Sequence, residues 1–323
     1  MKKNKLAIII PAFKETYLRE TLNSLYLQTN KNFTVYIGDD NSPYDLFNII
    51  NKFSNKLDII YKKFNENLGS KNLVNHWKRC IDMSKTEEWI WLFSDDDLLQ
   101  PDCVKLFYNS VLNNLGIELF HFNVKVIDNE GNEITNYIKR SVFPDNINSL
   151  DFFEARINNS LNSYMVEYVF SRNLYIKQGG IVNFDLAWCS DDATWINFAI
   201  KKGIYTIKGA QVIWRYSGIN ISSIRSDYNI SIRKINSKIN FLKWIDLFFK
   251  QNNIKHTLSV FKLTKWVVSE IVNNDNVSIS VKLKTVYFSC RKITNILNSL
   301  ICTIYIALRE LFNLIKNNVF VKK

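Results

Sequence analysis

Ser94-Asp95-Asp96-Asp97 sets three consecutive acids directly behind an apolar stretch, Trp89-Ile90-Trp91-Leu92-Phe93. Adjacent carboxylates repel one another at neutral pH unless water or a cation neutralises them. A hard divalent ion such as Mg²⁺ or Mn²⁺ takes such oxygens and keeps places open for phosphate. A solvated acidic turn before a helix opened by Pro101 accounts for the same run without any ligand. Asp39-Asp40 ends a second apolar run, and Asn41-Ser42-Pro43 behind it are ordinary turn residues. A carboxylate there could instead accept hydrogen bonds from a base N–H or a ribose hydroxyl. Asp191-Asp192 precedes a third apolar stretch, Ala193-Thr194-Trp195. Two acids at that place suit a helix N-terminus. They also suit a general base, because a hydroxyl nucleophile must lose its proton to a positioned carboxylate as it attacks. A second acid and partial burial would raise the proton affinity of such a base.

The elements that must carry these acids are legible as patterns. Lys5 to Ile10, Phe33 to Gly38, Leu57 to Tyr61 and Trp89 to Phe93 read as strands. Leu18, Leu22, Leu25 and Tyr26 fall on one helical face, and Leu73 to Met83 reads as a second helix. Strands alternating with helices over short connections predict an α/β fold with a mostly parallel, doubly wound sheet. Ligands bind at the carboxyl ends of the strands of such a sheet. Pro11-Ala12-Phe13, Asp39 to Ser42 and Ser94 to Asp97 each fall at such an end. Residues 117–150 are less regular, with a strand near Leu119 to Val126 and a turn at Asn129 to Asn132.

Ile8 to Glu15, Tyr17-Leu18 and Leu22 to Leu25 together resemble the first strand and helix of the family 2 glycosyltransferases. Gln28-Thr29, Asp39 to Ser42, Asn67-Leu68-Gly69, the acidic run with Pro101 behind it, and Gly179-Gly180 leading to Asp191-Asp192 continue the resemblance over roughly residues 5–225. The resemblance implies a GT-A (Rossmann-like) fold, a nucleotide-sugar donor, a divalent metal and inversion at the anomeric carbon. It implies that Asp40, with Asp39 beside it, meets the donor base. Pro11, Ala12 and Phe13 would form the opposite wall of that pocket, and Glu15 would reach the ribose or cap the next helix. Asp96 would bind Mn²⁺ or Mg²⁺, with Asp95 near the ribose or sugar. Asp192 would be the base and Asp191 its neighbour. Trp214 to Ser222 resembles the family's closing segment, in which Arg215 would meet the diphosphate. Lys71, at a helix start after Gly69-Ser70, is either a phosphate neighbour or a surface lysine. Trp188 is either an acceptor-sugar platform or a core aromatic.

The chain of 323 residues is 47% hydrophobic and 14% aromatic, enough for a substantial core. Its basic start, Met1 to Lys5, is followed by an apolar run too short for a signal peptide. Cys80, Cys103, Cys189, Cys290 and Cys302 form no CxxC pair, which favours a reducing compartment over a zinc site or a disulfide framework. His76, His121 and His256 are too scattered to suggest a metal set. The charge is unevenly placed. Residues 1–230 balance, whereas residues 231–323 hold 16 of the 42 Lys and Arg but only 4 of the 30 Asp and Glu, so they carry the whole excess of +12.

We therefore expect a GT-A domain over 1–230 and a basic helical region over 231–323. Leu300 to Leu308 is too short a run to span a bilayer, and Arg309-Glu310 interrupts it. It fits an interfacial helix drawn to anionic headgroups, or one packed within a helical subdomain. The composite expectation is an inverting transferase, peripheral on the cytoplasmic face of the membrane. It would move a sugar from a nucleoside-diphosphate donor, expected to be uridine-based, to a glycan or lipid-linked glycan hydroxyl in surface polysaccharide synthesis. No nucleic-acid module is recognisable. The competing expectations are a nucleotidyl or phosphosugar transferase, which would release pyrophosphate, and a catalytically silent scaffold of the same fold.

Overall fold

Leu6–Ala12, Phe33–Asp39 and Trp89–Leu92 become parallel strands buried on both faces, and Ile59–Lys63 becomes a partly exposed one at the margin of the sheet. The computed structural model describes residues 5–135, 142–218 and 226–320. Strand β1 (Leu6–Ala12) pairs in parallel with β2 (Phe33–Asp39) on one side and β4 (Trp89–Leu92) on the other. Strand β3 (Ile59–Lys63) extends the sheet beyond β2. The expected third strand lies two residues further on, because Val35 pairs with Ile59 while Leu57 is buried ahead of the strand. The chain thus moves outward from β1 through β2 and β3, then returns to the other side of β1 as β4. The reversal opens a crevice at the carboxyl ends of β1 and β4, where ligands of such sheets bind.

The sheet continues through β8 (Tyr168–Ser171), β6 (Leu119–Ile127) and β9 (Ile204–Arg215) to the two-residue β5 (Leu98–Leu99), and β7 (Asn146–Ile147) pairs with β9. Strand β8 runs antiparallel to β4, so it begins at the edge where β4 ends. Most registered residue pairs are parallel, those of β6 with β9 included. Helices α1 (Leu18–Tyr26), α2 (Leu46–Asn51), α3 (Leu73–Ile81), α4 (Cys103–Asn113), α5 (Ser149–Ile157), α6 (Arg172–Lys177) and α7 (Ser190–Phe198) accompany the strands. The core gathers Ile8, Ile10, Val35, Trp91, Phe107 and Phe122, with Trp91 stacked on Phe122 at 5.1 Å.

Two compact units divide the chain. The first comprises residues 1–183 and 190–217, and the second comprises 184–189 and 218–323. The second unit is helical: α8 (Tyr228–Gln251), α9 (Val260–Val272), α10 (Ile279–Cys290) and α11 (Ile296–Phe320). Val267, Val268, Ile271, Val286 and Ile306 are buried within it. Lys238, itself nearly buried, is neutralised by Glu270 at 2.6 Å.

Candidate active site

The acidic run lies in the crevice between β1 and β4. Asp95 Oδ2 accepts from the backbone N–H of Phe13 and of Lys14, both at 2.8 Å, which ties the end of β1 to the loop after β4. The Lys14 ammonium meets Asp96 Oδ2 and lies 3.6 Å from Asp95 Oδ1. Burial works against this ammonium, but Asp95 and Asp96 outweigh it and raise its proton affinity. Ser94 Oγ stands 2.9 Å from Asp96 Oδ1 and 2.6 Å from Asp97 Oδ2. One hydroxyl proton cannot serve both carboxylates. Burial, with Asp96 beside it, pushes Asp97 well above the usual carboxylate range, against the hydrogen bonds it accepts from Ser94 and from the Arg215 N–H. Burial also raises Asp95.

Arg215 braces this loop from β9. Its N–H donates to Asp97 Oδ1 at 2.8 Å, and its guanidinium reaches Glu20 at 2.6 Å and the Asp96 carbonyl at 3.1 Å. It also lies over the Tyr17 ring at 4.1 Å. A side chain 1% exposed and so engaged holds the acidic loop in place, where the sequence placed it beside the diphosphate. Ile219 to Ser222 of the expected closing segment lie outside the described residues.

Asp39 and Asp40 end β2 in the same edge. The N–H of Asp40 donates to the Ala12 carbonyl, and Ser42 Oγ donates to the Phe13 carbonyl at 2.6 Å. Asp39 accepts from Ser42 N–H at 2.7 Å and Tyr61 OH at 2.7 Å. Asp40 accepts from the N–H groups of Leu68 and Gly69 at 2.9 and 2.8 Å, meets Arg79, and lies 3.2 Å from His76 Nδ1. Burial holds His76 down at about 4, against the pull of Asp40. Asp40 is thus the anchor of the 67–69 loop, and a nucleotide base would have to share it with these donors. Gly69 belongs there for space: a Cβ would stand 2.6 Å from Asp40 Oδ2. Lys71 is exposed and pairs with Glu66 at 3.2 Å, the surface role. Phe13 and Glu15 are exposed at the rim, Pro11 is half-buried, and Ala12 is buried. The Glu15 carbonyl accepts from Leu18 N–H at 3.3 Å.

Asp191 and Asp192 occupy the first turn of α7. Arg156, on α5, donates from Nε to Asp192 Oδ1 at 2.7 Å and from Nη2 to Asp192 Oδ2 at 3.3 Å. Asp192 N–H donates to Asp191 Oδ1 at 2.9 Å. Burial and the Asp192 charge lift Asp191 to about 7, against the pull of Arg156. The two charges also act on Glu167 and Tyr168. Those residues sit at the start of β8, the edge where β4 ends. Tyr168 stacks on Trp195 of α7 at 4.2 Å, so α7 packs at the start of β8, near the end of β4. Trp188 lies in the second unit, where the Lys234 ammonium stands 4.2 Å from its ring.

A sequence model of glycosyl transferase family 2 matches residues 7–171, about half of the chain. The chain belongs to glycosyl transferase family 2. A curated relative, an uncharacterized glycosyltransferase of Rickettsia typhi, is 27% identical over 214 residues, covering 64% of this chain and 63% of its own length. The chain thus spans a little under two thirds of that relative. Among solved structures, S. aureus TarS in complex with UDP-GlcNAc superposes with a TM-score of 0.56 at 16% identity, covering 93% of this chain and 90% of that one. The mannosyltransferase PcManGT of Pyrobaculum calidifontis, in complex with GDP-Man and Mn²⁺, gives 0.50 at 14% identity, covering 94% and 80%. These likenesses establish the GT-A fold.

Among the described residues, no group of three or more His, Cys, Asp or Glu side chains is arranged to hold a metal. The Lys14 ammonium is a stand-in cation on Asp96 and Asp95. Their oxygens are hard ligands, suited to a divalent ion whose remaining places phosphate oxygens and water would fill. For a family 2 member these residues fit such an ion.

Lys14, Arg79, Arg156, Glu20 and Glu167 were not singled out from the sequence. Only Lys14 had a signal, its place beside Phe13 in the first motif. Arg156 lies on an amphipathic helix with no motif around it.

Proposed function

We propose that this protein is an inverting glycosyltransferase. It takes a sugar from a nucleoside-diphosphate donor, expected to be a UDP-sugar, and gives it to a hydroxyl of a glycan or lipid-linked glycan in surface polysaccharide synthesis. What supports this reading is that the acids after β2 and β4 share the end of β1, while α7, stacked through Trp195 on Tyr168 at the start of β8, carries Asp191 and Asp192 toward the end of β4. Asp40 and Asp39 with Pro11, Ala12 and Phe13 would hold the nucleotide. Asp95 would face the ribose or sugar. Asp96, with Asp95 beside it, would hold a divalent ion, Mn²⁺ or Mg²⁺, that neutralises charge on the departing diphosphate.

The Asp191–Asp192 pair takes the acceptor proton. Arg156 fixes Asp192 in place, and Asp191 beside it, lifted to about 7, suits proton transfer near neutrality. As the hydroxyl oxygen bonds to the anomeric carbon, the bond to the diphosphate breaks on the opposite face, so one displacement inverts that centre. A lipid-linked acceptor places the reaction at the cytoplasmic face of the cell membrane, with the protein peripheral there.

The test is a panel of nucleotide sugars with and without Mn²⁺, followed by Asp192→Asn with the best donor. Donor affinity should stay near native while transfer falls by orders of magnitude. Persisting transfer would move the base elsewhere, and release of pyrophosphate in place of a nucleoside diphosphate would overturn the reading.

A further inference from the structure

Helix α11 has two apolar faces, and among the described residues only one of them is covered. Cys302 and Ile306 are 0% and 1% exposed, turned into the second unit. Ten large apolar side chains from Ile296 to Ile315, among them Leu300, Ile301, Ile304, Leu308, Leu311 and Phe312, are each more than a third exposed. At helical spacing those ten fall on the opposite half of the helix. The charges that break the sequence run do not break this stripe. Glu310 lies toward Lys282 at 3.5 Å and Arg309 donates to Asn273 at 3.4 Å, both off the stripe.

The stripe continues onto α9. Phe261, 38% exposed, packs edge-on against Tyr305 at 5.2 Å, and the exposed Lys265 donates to the Tyr305 hydroxyl at 3.2 Å. Exposed Lys262 is its near neighbour on that helix. So large a contiguous apolar surface marks an interaction site, and the surrounding region holds 16 Lys and Arg against 4 Asp and Glu.

We propose that the exposed face of α11, with Phe261 and Lys265, docks onto an anionic lipid bilayer. The helix lies in the headgroup layer and keeps its inner face packed on α9 and α10. By length and composition alone α11 could cross a membrane, its most apolar window, Ile296–Asn313, having mean hydropathy 1.2. Crossing would strip Ile306 and Cys302 of their packing and Glu310 of Lys282. Lying flat costs neither. The apolar stripe supplies insertion and the cations supply attraction to acidic headgroups. This extends the membrane placement above by naming the surface, and it does not depend on the sugar-transfer chemistry.

The experiment is co-sedimentation of the full chain with vesicles of phosphatidylcholine plus phosphatidylglycerol, or of phosphatidylcholine alone, without donor or acceptor. Native protein should bind the mixed vesicles at least about tenfold better than the neutral ones, and lose that preference in high salt. Ile304→Glu/Leu308→Glu, both on exposed positions, should cut binding to mixed vesicles about a hundredfold. Thermal melting should stay unchanged. No binding by native protein overturns the proposal, as does binding that the double substitution leaves intact. Lipid-free native protein that is dimeric, and becomes monomeric with the same substitutions, would assign the face to a second copy and overturn it too. Transfer to a soluble acceptor is read separately, so failure of docking and failure of the enzyme reading are distinguishable.

Discussion

Replacing Arg156 by glutamine should raise the pH at which transfer switches on. In the native site Arg156 grips both oxygens of Asp192, at 2.7 and 3.3 Å. Burial and Asp192 lift Asp191 to about 7, and the Arg156 charge opposes that rise. A general base works only when unprotonated. Native turnover at saturating substrates should therefore climb about tenfold per pH unit below the midpoint and level off above it. Unit charges about 4 Å apart attract by about 4 kcal/mol at an effective dielectric of about 20, or about three pH units, an upper bound for Asp191 because the direct contacts of Arg156 are with Asp192. The Arg156 side chain keeps 19% exposure, so water replaces part of what is lost. We expect the midpoint to rise by at least about one unit, with turnover falling about tenfold at neutral pH and recovering in alkali. Arg156→Lys keeps the charge and should leave the midpoint near native. The assay is the initial rate of nucleoside-diphosphate release across a pH series at constant ionic strength. Circular dichroism would confirm folding, because an unpaired buried Asp192 costs about 3–5 kcal/mol when ionised. A midpoint that stays put or moves toward acid in Arg156→Gln would refute the reasoning. So would a native profile that is flat around neutrality.

Asp96→Asn should abolish the Mn²⁺-dependent part of donor affinity in titration calorimetry, and an unchanged metal effect would remove Asp96 from the metal role. Lys14→Met takes the ammonium off Asp96 and should tighten Mn²⁺ binding to donor-free protein by about tenfold or more, read by electron paramagnetic resonance of free Mn²⁺. Equal or weaker binding would show that Lys14 does not compete for that place. Gly69→Ala puts a methyl 2.6 Å from Asp40 Oδ2. It should lower stability by about 1–3 kcal/mol in urea titrations and weaken nucleotide binding, and native values for both would show that the 67–69 loop yields freely.

The amino-acid sequence by itself determined the alternation of strands and helices and the placing of acids at strand ends. Those features follow from local rules. Ile8 to Ile10 and Trp89 to Leu92 are apolar without alternation, as strands buried on both faces must be. Polar turn residues follow at Asn41 to Pro43. Tertiary structure alone decided what each acid meets. Lys14 reaches Asp96 across 82 positions, and Arg156 reaches Asp192 across 36. β9 delivers Arg215 to Glu20 and Asp97, partners 195 and 118 positions away that its sequence neighbours do not reveal. The same limit explains α11. Read along the chain, Arg309-Glu310 ends the apolar run, but in the folded helix both project off the exposed stripe, which continues through Leu311, Phe312 and Ile315. Hydropathy and periodicity are properties of neighbours in sequence. Ion pairing and the burial of a charge depend on distances that exist only once the sheet has closed.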